Sequence, residues 1–291
     1  MIYAGVELGG TKCVAILARD RGDVLARKII PTTSPGETLG LVERTLLGWQ
    51  HDHGFDALGI ASFGPADVNP KSTTYGHILA TPKPGWTGVD VVSPLRAALG
   101  MPLVFDTDVN GAAFAEMRWG SGQGFADFAY VTVGTGVGVG LIVNGQPTRG
   151  FGHCELGHIR VVRLPGDDWP GSCPFHGACV EGLASGPALK ARFGDRLQML
   201  PPGDPAWEPV VAALAQLCHA IVCAAAPRRI AMGGGVIEGQ PHLLGKINSK
   251  LVESLNNYVQ LPAERDYVAA PELGGDAGPL GAIALAMTVT P

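Results

Sequence analysis

Charge is scarce in this chain: Asp, Glu, Lys and Arg make up 16% of its 291 residues, against about 25% in an ordinary globular protein. The net charge is -5 and no run of Lys or Arg occurs, which argues against a nucleic-acid partner. The opening MIYAGVELGGTK lacks a basic n-region, an apolar h-region and a cleavage site. It reads as a strand rather than a secretory signal. The longest apolar stretches fall well short of the ~20 residues that span a bilayer, so no membrane partner is expected. No Pro/Ser-rich linker or low-complexity segment divides the chain. Six cysteines at irregular spacings do not form a disulfide framework and suit a reducing compartment. These absences leave a cytoplasmic enzyme as the expectation.

Glycine, by contrast, is abundant: 42 residues, about twice the usual share of ~7%. Many turns and close backbone approaches follow. Strand-like runs at 2–8, 13–18 and 24–30 precede a helical pattern at 37–51, a strand at 57–63, a short helix at 91–99, a strand at 103–106 and a helix at 110–119. The order then begins again. Strands at 128–133, 137–143 and 146–149 lead to a long apolar helix at 206–226, a strand at 229–232, a helix at 242–256, a strand at 267–270 and a last helix at 279–287. This is an internal repeat. Leu8-Gly9-Gly10-Thr11-Lys12 turns between the first two strands of one copy, and Val133-Gly134-Thr135-Gly136-Val137 between the first two of the other. Gly233-Gly234-Gly235-Val236-Ile237 follows a strand and precedes a helix. Each alone fits an ordinary glycine turn; three at repeat-related positions point to loops whose bare backbone N–H groups meet phosphate or nucleotide. None has the spacing of a Walker loop.

His158, Cys173, His176 and Cys179 carry the strongest chemical signal. C-x2-H-x2-C with one upstream imidazole matches a tetrahedral zinc site. Four protein ligands close the shell, which makes the expected zinc structural. The residues between His158 and Cys173 include Pro165, Gly166, Pro170 and Gly171 and read as loop. Glu155 and Glu181 flank the knot, either as salt-bridged surface carboxylates or as part of a polar binding site. Asp106-Thr107-Asp108-Val109-Asn110 ends a strand and opens a helix, where Asp and Asn commonly cap. That reading suffices for Asp106 and Asn110. Asp108 is instead the candidate general base of a phosphoryl transfer. Cys13, Cys154, Cys218 and Cys223 read as buried thiols, and His51, His53, His77, His153, His219 and His242 as solvated or satisfied rings.

These motifs together resemble the ROK family of sugar kinases, in its bacterial fructokinase-like branch, over nearly the whole chain. Glu7-Leu8-Gly9-Gly10-Thr11-Lys12 resembles the first phosphate loop, with Glu7 where Asp is usual. Ser62-Phe63-Gly64-Pro65 and Thr81-Pro82-Lys83-Pro84-Gly85-Trp86 resemble sugar-side loops. Thr107-Asp108-Val109-Asn110 resembles the catalytic-base motif, with Thr107 where Asn is usual. Glu155-Leu156-Gly157-His158 matches the family's sugar-contacting signature, and 173–187 its zinc segment, with His176 where many relatives have a third Cys. Asp276-Ala277-Gly278-Pro279-Leu280-Gly281 resembles the start of the C-terminal helix.

The resemblance implies an α/β, actin-like, ribonuclease-H-type fold: two duplicated α/β domains with an interdomain cleft. The expected division is a small domain at 1–115, rejoined by a helix at 279–291, and a larger one at 116–278. ATP is expected against Gly9, Gly10, Thr11, Lys12, Gly134, Thr135, Gly136, Pro187, Gly233, Gly234, Gly235, Val236 and Ile237. Gly64, Pro65, Asn110, Glu155, His158 and Glu181 are the expected sugar contacts. Mg2+ accompanies ATP near Glu7 and Asp108, Zn2+ sits in the knot, and the likeness suggests a homodimer. Fructose is the expected hexose; mannose, glucose and N-acetylhexosamines are alternatives. A sugar-responsive regulator of the same fold is a different class, for which the first phosphate loop, starting at residue 7, leaves no preceding DNA-binding helix-turn-helix.

Overall fold

The computed structural model describes residues 1–263 and 266–289; Thr290 and Pro291, at the end of the expected C-terminal helical stretch, lie outside them. The chain forms two compact units, one from Met1–Gly124, Pro147–Cys154 and the stretch from Gly275, the other from Phe125–Gln146 and Glu155–Gly274.

In chain order the elements are β1 (Tyr3–Leu8), β2 (Lys12–Asp20), β3 (Asp23–Pro31), α1 (Pro35–Asp52), β4 (Ala57–Ser62), α2 (Val92–Leu99), β5 (Leu103–Thr107) and α3 (Asp108–Trp119). Then come β6 (Phe128–Val133), β7 (Val137–Val143), β8 (Gln146–Pro147), α4 (Val180–Ala184), α5 (Gly186–Phe193) and α6 (Glu208–Ala225). The chain ends with β9 (Ile230–Gly233), α7 (Gly235–Gly239), α8 (His242–Leu255), β10 (Val268–Ala269) and α9 (Ala277–Ala286). The sheets run β3-β2-β1-β4-β5 and β8-β7-β6-β9-β10. The strand orders are the same, so the repeat read from the sequence is a repeat of topology. In each sheet the first two strands pair antiparallel, and the first pairs parallel with the fourth.

In the first unit, α1 turns Thr38, Val42, Thr45 and Leu46 inward at helical spacing. Trp86 and Phe105 close the same core with Leu8, Leu17 and Ile60. Helix α9 lies directly on β1 and β4 and against α3. A Cβ at Gly59 would stand 1.9 Å from the Ala282 carbonyl oxygen, and one at Gly281 would stand 2.4 Å from the backbone of Gly111. These contacts bring helix backbone onto strand and helix backbone, and they hold the C-terminal helix in the unit that contains the N-terminus.

In the second unit α6 packs on α8, which buries Leu243, Ile247, Leu251 and Leu255 at four-residue spacing. Pro209 falls in the first turn of α6, where its missing N–H has no intrahelical partner to lose. The stretch Pro205–Ala225 is, by length and composition alone, apolar enough to cross a membrane. This corrects the expectation of short apolar stretches. Glu208 is its only charged residue, and its inward face forms core with Val210, Leu214, Leu217 and Ile221, all fully buried.

Several boundaries differ from the sequence reading. The first unit continues past residue 115, because α3 runs to Trp119 and buried Glu116 accepts hydrogen bonds from the Ser121 backbone N–H and hydroxyl at 2.7 and 2.8 Å. It also takes in 147–154, so the two units are nearly equal in length. The third strand of the second sheet stops at Pro147, which has no ladder N–H to offer. Helices α4 and α5 lie where the sequence reading assigned no element, and α7 follows the third glycine turn. Ser185 ends the first and caps the second, accepting from the Ala188 N–H at 3.3 Å. Cys13 and Cys218 are buried as expected, whereas Cys223 is exposed at the end of α6 and Cys154 is half-buried.

Candidate active site

In the first sheet, Leu8 pairs with Ser62 across β1 and β4, and Ser62 with Thr107 across β4 and β5. The residues that follow, Gly9, Phe63–Gly64 and Asp108, therefore leave one end of the sheet together. This is the carboxyl end of parallel strands, where open α/β sheets place ligands. The 9–12 turn is braced from below. Gly9 N–H donates to the Lys12 carbonyl at 3.1 Å, the Thr32 hydroxyl donates to the Gly9 carbonyl at 2.7 Å, and Thr32 N–H to the Thr11 carbonyl at 3.0 Å. Gly10, Thr11 and Lys12 stay exposed above that brace.

Thr107, not Asp108, is the N-cap of α3; its hydroxyl oxygen accepts from the Asn110 N–H at 3.3 Å. Asp108 is the first helical residue and is half-buried, with one carboxylate oxygen accepting from the Val109 N–H at 2.8 Å. Asp106 and Asn110 do not cap either. The Asn110 amide donates to Asp106 at 2.8 Å, and Asp106, fully buried, is ion-paired with Arg149. Asn110 is 2% exposed, and its amide is held within the fold by Asp106.

Glu7 lies beside Asp108. Burial, then the Asp108 charge, raises its carboxyl pKa to about 7, against the opposing pull of Lys12 and Arg27. Gly278 makes room for it: a Cβ there would stand 2.1 Å from Glu7 Oε1. Two carboxylates in this setting are oxygen donors that suit Mg2+, and a cation would relieve the repulsion that helps hold Glu7 protonated.

The Gly64–Pro65 peptide is cis. The next residue, Ala66, donates its N–H to His153 Nε2 at 3.1 Å, while His153 Nδ1 lies 3.2 Å from the Cys154 carbonyl. This assigns the ring proton to Nδ1, with Nε2 accepting. His153 is a residue that the sequence reading missed: it has no ligand spacing and reaches the Gly64–Pro65 loop only through folding.

In the second unit, His158, Cys173, His176 and Cys179 place their ligand atoms within 4.8 Å of one another. Cys173 Sγ is 3.7 Å from Nδ1 of both His158 and His176, and Cys179 Sγ is 3.6 Å from His158 Nδ1. Zinc bonds of about 2.3 Å to sulfur and about 2.0 Å to nitrogen, at a tetrahedral angle, put ligand atoms about 3.6 Å apart. The cluster fits zinc.

Nε2 of His158 points the other way, 4.0 Å from Glu181 Oε1. Glu181 Oε2 accepts the Val137 N–H at 3.1 Å. A Cβ at Gly136 would meet Glu181 Oε2 at 2.6 Å, so the second glycine turn closes onto this carboxylate. The start of α5 holds the turn as well, through the Gly186 N–H to the Gly134 carbonyl at 2.7 Å. Glu155 precedes the single 3-10 turn that carries His158 and is exposed.

Gly134, Thr135, Pro187, Gly235 and Val236 line one cavity of about 470 Å³, with Trp207 and Leu189 as apolar walls. Gly234 starts α7 at φ 88, and a Cβ there would stand 2.7 Å from the Val133 carbonyl, so only glycine fits this turn. Gly233 ends β9. Ile237 is 2% exposed and packs inward rather than lining the cavity.

The ROK family model matches residues 3–289. The chain belongs to the ROK family. It is 41% identical to a fructokinase of Pediococcus pentosaceus over 98% of both chains. It is also 41% identical to a fructokinase of Zymomonas mobilis, over 98% of this chain and 96% of that one. Among solved ROK structures, a hexokinase from Thermus thermophilus superposes with a TM-score of 0.80 at 26% identity, over 99% of this chain and 98% of that one. A Streptomyces griseus ROK glucokinase in complex with glucose and AMPPNP superposes at 0.77 and 26%, over 99% of this chain and all of that one. The fold is therefore the actin-like ATPase fold of the ROK sugar kinases.

Proposed function

We propose that this ATP-dependent sugar kinase transfers the γ-phosphoryl group of ATP to a primary hydroxyl of fructose. One observation carries the choice of sugar. Similarity to proteins named fructokinase extends over 98% of this chain at 41% identity, whereas similarity to a glucokinase of Streptomyces coelicolor covers 64% of it at 34%.

Each group has a role in this reading. Asp108 accepts the hydroxyl proton as the sugar oxygen attacks the γ-phosphorus, and the bond from that phosphorus to the bridging oxygen of ADP breaks. The glycine backbone at Gly9–Thr11 with Lys12, and at Gly134–Gly136, meets phosphate; Pro187 and Gly233–Val236 meet the nucleoside, and the 470 Å³ cavity takes the base. Gly64, Pro65, Glu155, His158 and Glu181 read the sugar hydroxyls, while Asn110 steadies the base motif. Mg2+, bound with ATP, supplies charge neutralisation, with Glu7 and Asp108 as the protein oxygens on that side. Positioning and electrostatics carry most of the rate in such a transfer. The zinc ligands hold the segment of Glu155, His158 and Glu181 in shape, and the protein works as a cytoplasmic homodimer.

An ATP-coupled assay over fructose, mannose, glucose and N-acetylhexosamines tests the reading. Fructose should have the highest kcat/KM, by about tenfold or more, since a few pocket contacts are worth one or two orders of magnitude. A higher value on another hexose transfers the assignment to that sugar, and no activity on any of them points to a sensor.

A further inference from the structure

Lys83 belongs to a loop whose motif resembles a sugar-side element, yet its ammonium donates to the carbonyl of Gly10, in the first phosphate loop. The loop that carries it is firmly anchored. Trp86 is fully buried, donates its indole N–H to the Thr33 carbonyl at 3.1 Å and meets Phe63 edge-on at 5.4 Å between ring centroids. Lys83 N–H donates to the Thr81 hydroxyl at 3.3 Å, and Trp86 N–H to the Lys83 carbonyl at 3.2 Å.

Among the described residues Lys83 has no carboxylate partner within ion-pair distance. Its one side-chain acceptor is a neutral carbonyl on a turn whose Gly10, Thr11 and Lys12 are exposed. That turn leaves the same end of the sheet as Asp108. A half-buried lysine held there without a counter-charge is complementary to an anion.

We propose that Lys83 is a catalytic residue that contacts the transferred phosphoryl group. Its ammonium turns from the Gly10 carbonyl to a γ-phosphate oxygen when ATP occupies the loop. It follows the charge of that group as the phosphorus passes from the ADP oxygen to the sugar oxygen. Lys83 neither gives nor takes a proton; the hydroxyl proton goes to Asp108. The inference rests on reading Gly9–Lys12 as a phosphate loop, and it adds a second cation to Lys12.

Lys83→Met and Lys83→Arg, in the full-length protein, test it. Lys83→Met should lower kcat about 100-fold, the usual loss on removing one group that stabilises transition-state charge. The sugar KM should stay within about twofold, and Lys83→Arg should recover part of the rate because it keeps the charge. By calorimetry, Lys83→Met should weaken AMPPNP while leaving ADP unchanged, since only the former has a γ-phosphate. Wild-type kcat in Lys83→Met overturns the proposal. So does an equal loss of AMPPNP and ADP affinity, which makes Lys83 a brace of the loop. If the wild-type protein phosphorylates no hexose, the fructokinase reading fails, and the AMPPNP-to-ADP comparison still decides whether Lys83 meets the γ-phosphate.

Discussion

His158 and Glu181 join the His/Cys cluster to the glycine turn at Gly134–Gly136. The Nδ1 of His158 faces Cys173 and Cys179 at 3.7 and 3.6 Å, its Nε2 stands 4.0 Å from Glu181 Oε1, and Glu181 Oε2 holds the Val137 N–H at 3.1 Å. A metal on Nδ1 would leave the ring proton on Nε2, facing the carboxylate. An occupied cluster would thus fix the donor atom of His158 and, through Glu181, the seat of the Gly134–Gly136 turn.

Removing the metal should therefore weaken both substrates. Elemental analysis should find about one zinc per chain. Dialysis against a chelator, or Cys179→Ser, should lower the melting temperature and raise the KM of both ATP and sugar. AMPPNP binding by calorimetry should weaken roughly tenfold, the scale of a lost supporting contact at a metal site. Unchanged nucleotide affinity in the zinc-free protein would show that the knot does not act on the loop.

Asp108→Asn should leave sugar binding near normal and lower kcat by about 10²–10⁴-fold, the share of a general base. Turnover close to wild type in that variant assigns the proton to another group.

Glu7 links activity to stability through pH. Burial and Asp108 raise its pKa from the ordinary 4.5 to about 7. Below the unfolded value both states hold the proton and folding bears no cost. As pH rises through this window, the unfolded chain ionises first, so the stability contribution is lost progressively up to the folded pKa. Glu7→Gln should flatten that decline and raise the melting temperature at about pH 8, with lower activity if Glu7 helps hold Mg2+. Parallel melting curves for the two proteins between about pH 5 and about pH 8 would remove Glu7 as the cause.

His153 should act on sugar binding without touching chemistry. Its Nε2 accepts the Ala66 N–H only when unprotonated. His153→Ala should raise the sugar KM several-fold, with about 1–3 kcal/mol at stake when a buried N–H loses its acceptor, and leave kcat within about twofold. A kcat loss larger than the KM change contradicts a positioning role.

Much of the fold was legible because it is local. Strand and helix periodicities, the two glycine turns and the repeat follow from residues near one another, and the two sheets have the same strand order. The His/Cys cluster was legible too, since Cys173, His176 and Cys179 are spaced by three residues each and need little besides His158. Helices α4, α5 and α7 were not, because short elements in a glycine-rich and proline-rich segment carry almost no periodicity.

The sequence by itself determined which chemistry is present: carboxylates, thiols, imidazoles and bare glycine backbone in a known family order. Tertiary structure alone decided what each group faces. Thr107 takes the cap and frees Asp108 from capping, Arg149 crosses 43 residues to pair with Asp106, His153 reaches Ala66, and Lys83 reaches Gly10. Hydrogen bonds and charges act over a few ångströms. Such pairings depend on which backbones the fold brings close, and no spacing along the chain records that.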